Sequence, residues 1–228
     1  MLTDNVSSAD NLAGKVQYEK TFDKKKLAYL FGVYLGGGSC SFYTRHYVFS
    51  IVSADNDVIE RTMRIVNQLL QKSYSITIIK PNKSQLFRFR AWNKNLFLML
   101  KGETNSKSKL PSFLETSDKS TISEFVAGLM DTDGYISKGK SKLGFQKYSL
   151  GFTNSGKWLD EFIVLLKYLG VKTGKKTLKR KYRSVNEKDC YQININLRSF
   201  IQAGCYFNCR RKQRILDTYI LNVRYQLY

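Results

Sequence analysis

The sequence predicts an α+β protein of two pseudo-twofold-related halves, each running α-β-β-α-β-β-α around an antiparallel sheet. Three observations predict it. An apolar helix-like run, Leu27–Ser39 (LAYLFGVYLGGGS), ends in a glycine-bearing junction, and a run of the same shape, Ile122–Ser137 (ISEFVAGLMDTDGYIS), meets it again 96 residues later. At an offset of 104, Phe87, Phe89, Ala91 and Leu96 fall on Tyr191, Ile193, Ile195 and Phe200. Between these landmarks, strand-like segments alternate apolar and polar residues with a period of two.

The elements follow in order. Residues 1–21 are polar and aperiodic and read as a mobile arm. The first half, 22–101, opens with Asp23 capping a helix over Lys24–Gly36. Strands at Ser39–Tyr43 and Tyr47–Ser53 flank the turn Thr44-Arg45-His46. Asp55 or Asn56 starts a helix with Val58, Met63, Ile65, Val66, Leu69 and Leu70 as its apolar stripe. Ser73–Lys80 and Gln85–Trp92 form a second strand pair around Pro81-Asn82-Lys83-Ser84, and Asn93–Lys101 is a short helix. A linker spans 102–118, and the second half, 119–228, repeats the order. It holds a helix over Ser120–Thr132, a strand pair within Tyr135–Asn154 and a helix over Ser155–Gly170. Strands within Val171–Arg183 and Cys190–Leu197, a short helix from Arg198 and a last helix over Arg210–Val223 complete it.

At 228 residues, 43% hydrophobic and 14% aromatic, the chain can bury a substantial core. No apolar run approaches the roughly 18 residues of a membrane span, and the first residues lack the apolar core of a signal peptide. An intracellular, non-membrane protein is therefore expected. Abundant Lys, Asn, Ile and Tyr with only two prolines suggests AT-rich coding DNA, as in a mitochondrion, a chloroplast, a phage or some bacteria. The net charge of +20, divided as +7 over residues 1–104 and +13 over 105–228, suits a polyanion along both halves. Cys40, Cys190, Cys205 and Cys209 form no C-x-x-C pair, and with the single histidine His46 they support no structural zinc site.

The strand pattern suggests how a polyanion would be met. Phe87, Phe89 and Ala91 alternate with Arg88 and Arg90, and Ile193 and Ile195 alternate with Gln192, Asn194 and Asn196. One sheet face is thus core, and the other carries side chains able to make bidentate bonds to guanine or adenine edges. Arg45 and the lysines of the second half's strand segments (Lys138, Lys140, Lys142, Lys147, Lys179, Lys181), with Arg183, complete the candidate DNA contacts.

Gly32 and Gly36 share one helix face, and Gly128 and Thr132 share another, so the two helices can approach backbone to backbone. Their C-termini would then meet, with Asp133 beside position 37. An anion at a helix C-terminus is unfavourable by itself, and a cation held there would account for it. Mg²⁺ held by one or two carboxylates and phosphate oxygens fits.

VAGLMDTDG (Val126–Gly134) resembles the LAGLIDADG motif of the homing endonuclease family, and LFGVYLGGG (Leu30–Gly38) resembles its degenerate first copy in single-chain, two-repeat members. The resemblance covers about residues 22–224. It implies a monomer whose two saddle-like sheets straddle about 20 base pairs of duplex DNA, with the motif helices at the interface. It also implies Mg²⁺-dependent hydrolysis of both strands at a site where an intron is inserted, with Mn²⁺ or Ca²⁺ as substitutes. By the same resemblance the metal ligands are Asp133 with the carbonyl of Thr132, and position 37 with the carbonyl of Gly36. A basic and a polar residue line each pocket: Arg210 (or Arg211 or Lys212) and Asn154 in the second half, Lys109 (or Lys107) and Ser53 in the first.

Gly37 departs from the motif, because glycine offers no carboxylate. Three readings stand open: an inactivating change in the chain, a relative that kept binding and lost cutting, or nicking by Asp133 alone. Host-intron RNA is the alternative partner, as for the RNA-splicing maturases of this family.

Overall fold

The computed structural model describes residues 22–79, 85–180 and 189–225. The expected N-terminal arm and the turn at 81–84 lie outside the described residues, as do Lys181 and Arg183.

Each half builds the same unit. In the first, α1 (Lys24–Gly36) leads into the hairpin β1 (Ser39–Tyr43) and β2 (His46–Ser53), then α2 (Asn56–Leu70), β3 (Ile76–Ile79), β4 (Leu86–Trp92) and α3 (Lys94–Glu103). A 3-10 turn at Ser112–Thr116 joins the halves. The second half runs α4 (Lys119–Thr132), β5 (Gly134–Lys140), β6 (Gln146–Asn154), α5 (Leu159–Tyr168), β7 (Thr177–Arg180), β8 (Cys190–Ile195), α6 (Leu197–Gln202) and α7 (Arg210–Tyr225). Both sheets are antiparallel, in the orders β1-β2-β4-β3 and β5-β6-β8-β7. The registers correspond: Ser53 opposes Phe87 in one sheet, and Asn154 opposes Tyr191 in the other.

Local chemistry sets several boundaries. Side-chain caps start four helices: Asp23 accepts from the Lys25 N–H, Asn93 from Leu96, Asp118 from Thr121 and Asn196 from Ser199. The strand expected from Ser73 begins only at Ile76, because the Asn67 side chain holds both the N–H and the carbonyl of Tyr74. The helix expected from Ser155 begins at Leu159, since Asn154 Oδ1 accepts from the Gly156 N–H at 2.5 Å and shapes a turn first. The linker begins later than expected, as α3 continues to Glu103.

The two halves share a core at the crossing of α1 and α4. A Cβ placed on Gly32 would lie 2.2 Å from the Phe125 carbonyl oxygen, and one on Gly128 would lie 2.3 Å from that of Tyr29. Only two glycines permit an approach this close. Leu30, Phe31, Val33, Val126, Ala127 and Leu129 are all sealed around the crossing. Phe49 and Phe89 fill the space beneath the first sheet, and Phe152, Trp158 and Phe162 that beneath the second.

Of the two expected starts of α2, Asp55 and Asn56, Asp55 takes the cap position but makes no cap bond. Both its oxygens instead take the Arg211 guanidinium of α7, each at 2.9 Å. That pairing holds the Asp55 carboxyl below the usual carboxylate range, with the Arg211 hydrogen bonds as the largest cause. A lowered folded value means that the contribution is present above the unperturbed value of about 3.9 and is lost as pH falls through the folded one. Because Arg211 is largely exposed, Asp55→Asn should cost only about 0.5–1 kcal/mol at neutral pH. In urea titrations the gap between parent and variant should close as pH falls below 4.

Candidate active site and nucleic-acid interface

The C-termini of α1 and α4 lie side by side, as the glycine spacing requires. Asp133 ends α4 with φ −100° and ψ −7°, and Gly37 ends α1 with the nearly identical φ −104° and ψ −13°. The two junctions are thus equivalent in backbone and differ in side chain. Asp133 Cγ lies 3.6 Å from where a Gly36 Cβ would stand, so the carboxylate sits at the seam between the halves.

Two lysines close this seam in parallel fashion. Lys212 Nζ donates to the carbonyls of Met130, Asp131 and Gly134 at 2.7–2.8 Å. Lys107 Nζ donates to the carbonyls of Leu35 and Gly38, at 3.4 and 2.6 Å. Asp131 and Gly134 are the repeat counterparts of Leu35 and Gly38, so the lysines are counterparts as well. Each neutralises helix-end carbonyls that would otherwise lack partners. Burial lowers the affinity of both ammonium groups for their proton, while nearby acids, Asp133 for Lys107 and Asp131 for Lys212, raise it.

Asp133 is held by Asn154, whose amide donates to its Oδ2. Burial raises the Asp133 carboxyl above its ordinary range; the Asn154 hydrogen bond, then Lys107 and Lys212, oppose that rise. Ser53, the counterpart of Asn154, is turned to its own strand end and accepts from the Asp55 N–H at 3.0 Å. The lysines occupy the carbonyls of Leu35, Gly38, Met130, Asp131 and Gly134; those of Gly36 and Thr132 are not among them. One oriented carboxylate next to main-chain oxygens is a hard-oxygen set of the kind Mg²⁺ takes.

Several expected residues stand elsewhere. Arg210 opens α7 with its backbone N–H on Asp57 and its side chain exposed; Lys212, two residues on, is the one that turns inward. Lys109 is exposed, and Lys107 takes the place expected of it. The reason is a left-handed run at Asn105, Ser106 and Lys107 (φ 42°, 53° and 72°), which folds the chain back onto the end of α1. Asp131 is 3% exposed and accepts from the Tyr29 hydroxyl and the Cys209 N–H, both at 2.9 Å. Desolvation lifts its carboxyl to about 6, and its work is to fix the entry to α7.

The outer face of the second sheet carries Tyr135, Lys147, Lys179, Gln192 and Asn194 around an open groove of about 900 Å³. Gln192 Nε2 donates to the Tyr135 hydroxyl at 2.6 Å and to Asn194 Oδ1 at 3.0 Å, which ties the three into one array. On the first sheet, Arg88 and Arg90 share the outer face with Val52 and Ser50, and Arg45 stands exposed at the β1–β2 turn. Asn196 lines the same groove, with its Oδ1 taken as the α6 cap. Lys138 and Lys140 project on the side of Ile136, opposite to Tyr135, and Lys142 stands in the turn that follows, so none of the three belongs to the array.

A family model described as homing endonuclease matches residues 109–220, the second half with the turn before it. The fold of the whole is similar to that of I-DmoI. A structure of mesophilic variants of the homing endonuclease I-DmoI aligns with a TM-score of 0.55 at 20% identity, over 79% of this chain and 93% of that one. The second half matches the homing endonuclease family, and the chain as a whole has the fold of I-DmoI. I-DmoI in complex with DNA and Ca aligns equally, at 20% identity over 78% of this chain and 86% of that one. The chain is also 22% identical over 215 residues to a probable translation initiation factor IF-2 of Methanocaldococcus jannaschii, spanning 90% of this chain but 17% of that protein's length. An identity of 20% carries the shared fold, and the site rests on its own residues.

Proposed function

We propose that the chain is a sequence-specific DNA endonuclease, intron-encoded and monomeric, that grips about 20 base pairs of duplex with its two sheets and has a one-sided cleavage site. The observation that carries the reading is Asp133, oriented by Asn154 and flanked by Lys107 and Lys212 where the two sheets converge. The similarity to I-DmoI, solved with DNA and Ca and with DNA and Mn, supports a duplex partner and a divalent ion.

A divalent ion, Mg²⁺ or in its stead Mn²⁺ or Ca²⁺, held by Asp133 and the Thr132 carbonyl would supply electrostatic stabilisation of the scissile phosphate and activation of water. Asn154 keeps the carboxylate oriented. Lys212 and Lys107 bring positive charge to the phosphate and hold both helix ends rigid. The first half gives Gly37 and the Gly36 carbonyl, without a side-chain ligand, so one strand is cut far better than the other. The sheets read different chemistry: Arg88 and Arg90 suit guanine, Val52 a thymine methyl, and the Gln192–Asn194 array adenine. The same lack of a carboxylate at 37 favours a second reading, an RNA-binding maturase that binds and does not cut.

Selection of bound duplexes from a random library, followed by incubation with Mg²⁺, tests both readings. The expected result is a long asymmetric site, affinity that falls steeply with salt, and Mg²⁺-dependent nicking that Asp133→Asn abolishes. Tight binding of intron RNA with no preferred duplex would overturn the endonuclease reading.

A further inference from the structure

The seam holds one residue whose size the motif does not explain. Thr132 stands between Asp131 and Asp133, at the end of α4, and is the repeat counterpart of Gly36. A Cβ on Gly36 would lie 1.9 Å from Thr132 Oγ1, so threonine fits only because residue 36 is glycine. A Cβ on Gly37 would lie 3.2 Å from Thr132 Cγ2 and 3.3 Å from its Cβ, tighter than ordinary van der Waals contact. The neighbour would have to give way by a few tenths of an ångström.

Thr132 is poorly placed to give way. Its hydroxyl donates back to its own helix, toward the carbonyls of Leu129 at 2.9 Å and Gly128 at 3.2 Å, and this fixes χ1. With the hydroxyl pinned, the methyl stays directed at residue 37. The backbone raises no obstacle, since Gly37 has the same right-handed conformation as Asp133. The obstacle is the Thr132 side chain, its methyl at 3.2 Å and its Cβ at 3.3 Å.

We propose that Thr132 is a positioning residue that keeps the site one-sided, by crowding the space that a Cβ at position 37 needs. The asymmetry is therefore a property of two residues rather than of Gly37 alone. Gly36 leaves room for Asp133 from the second half, while Thr132 denies the matching room to the first. The functional consequence rests on the endonuclease reading; the steric one does not.

A thermal-unfolding cycle without metal isolates the steric part. At a right-handed position open to a side chain, Gly→Ala stabilises by restricting the unfolded chain. Gly37→Ala should accordingly raise the melting temperature by about 1–3 °C in a Thr132→Gly background, which removes both atoms, and lower it in the parent, a change of sign. An equal rise in both backgrounds would overturn the proposal. Gly37→Asp alone should leave the second DNA strand uncut, and Gly37→Asp with Thr132→Gly should release its cleavage by at least tenfold. If the single Gly37→Asp variant already cuts both strands as well as the double variant, Thr132 is not the lock. If the stability cycle changes sign but the double variant never cuts the second strand, the lock stands and the endonuclease reading fails.

Discussion

Gly128→Ala should cost the protein most of its folded state. The added Cβ would stand 2.3 Å from the Tyr29 carbonyl oxygen, 2.9 Å from the Val33 nitrogen and 3.2 Å from the Gly32 Cα. All three are backbone atoms, so no side-chain rotation relieves the clash, and α1 and α4 must separate. Overpacking usually costs about 1–3 kcal/mol; with two main chains in contact the expected loss is on the order of 4 kcal/mol or more. Separation would also draw apart the Tyr29–Asp131 hydrogen bond and the seam at which both helices end. Circular dichroism and thermal unfolding check it. Gly102→Ala supplies the control: nothing lies within 4 Å of its added Cβ, and it sits in α3, so it should gain about 0.5–1 kcal/mol. A Gly128→Ala protein as stable as the parent would refute the close crossing.

The crossing was legible in the sequence because it depends on periodicity, which survives without coordinates. Gly32 and Gly128 recur at equivalent places on two helices, and only small residues on a shared face permit contact of main chains. The sheet faces were legible for the same reason: the alternation of Phe89 and Ala91 with Arg88 and Arg90 is a period of two, and the first pair is fully buried. The basic residues of the seam were not. Lys107 and Lys109 are equally basic and two apart, and the choice between them rests on three consecutive left-handed residues that no periodicity announces. Asn105, which tolerates that conformation, was the one available hint. Arg210, Arg211 and Lys212 are likewise all basic and adjacent, and the choice among them rests on the entry to α7, fixed by Asp131 on the Cys209 N–H and by Asp57 on that of Arg210. Those tethers span more than 75 residues of chain and set which side chain turns inward. The size of Thr132 was visible throughout; its consequence needed the distance to Gly37.

Replacement of Lys212 by methionine should be the most damaging side-chain change at the seam. Its Nζ satisfies three carbonyls, those of Met130, Asp131 and Gly134, and the residue is 5% exposed. Methionine matches the length and buries well, but it donates nothing. Three acceptors at the negative end of α4 would be left without water or partner, at about 1–3 kcal/mol for each such group when fully orphaned. Partial relaxation brings the expected loss to about 3–5 kcal/mol, or a melting temperature lower by roughly 10 °C at this chain length. Lys107→Met removes two bonds from a half-buried site, one of them long at 3.4 Å, and should cost about half as much. Lys212→Arg should not rescue, because three converging carbonyls match the rotating donors of an ammonium and not the flat fork of a guanidinium. If Lys107→Met proves the more damaging of the pair, the lysines are not equivalent plugs, and the seam is held chiefly from the first half.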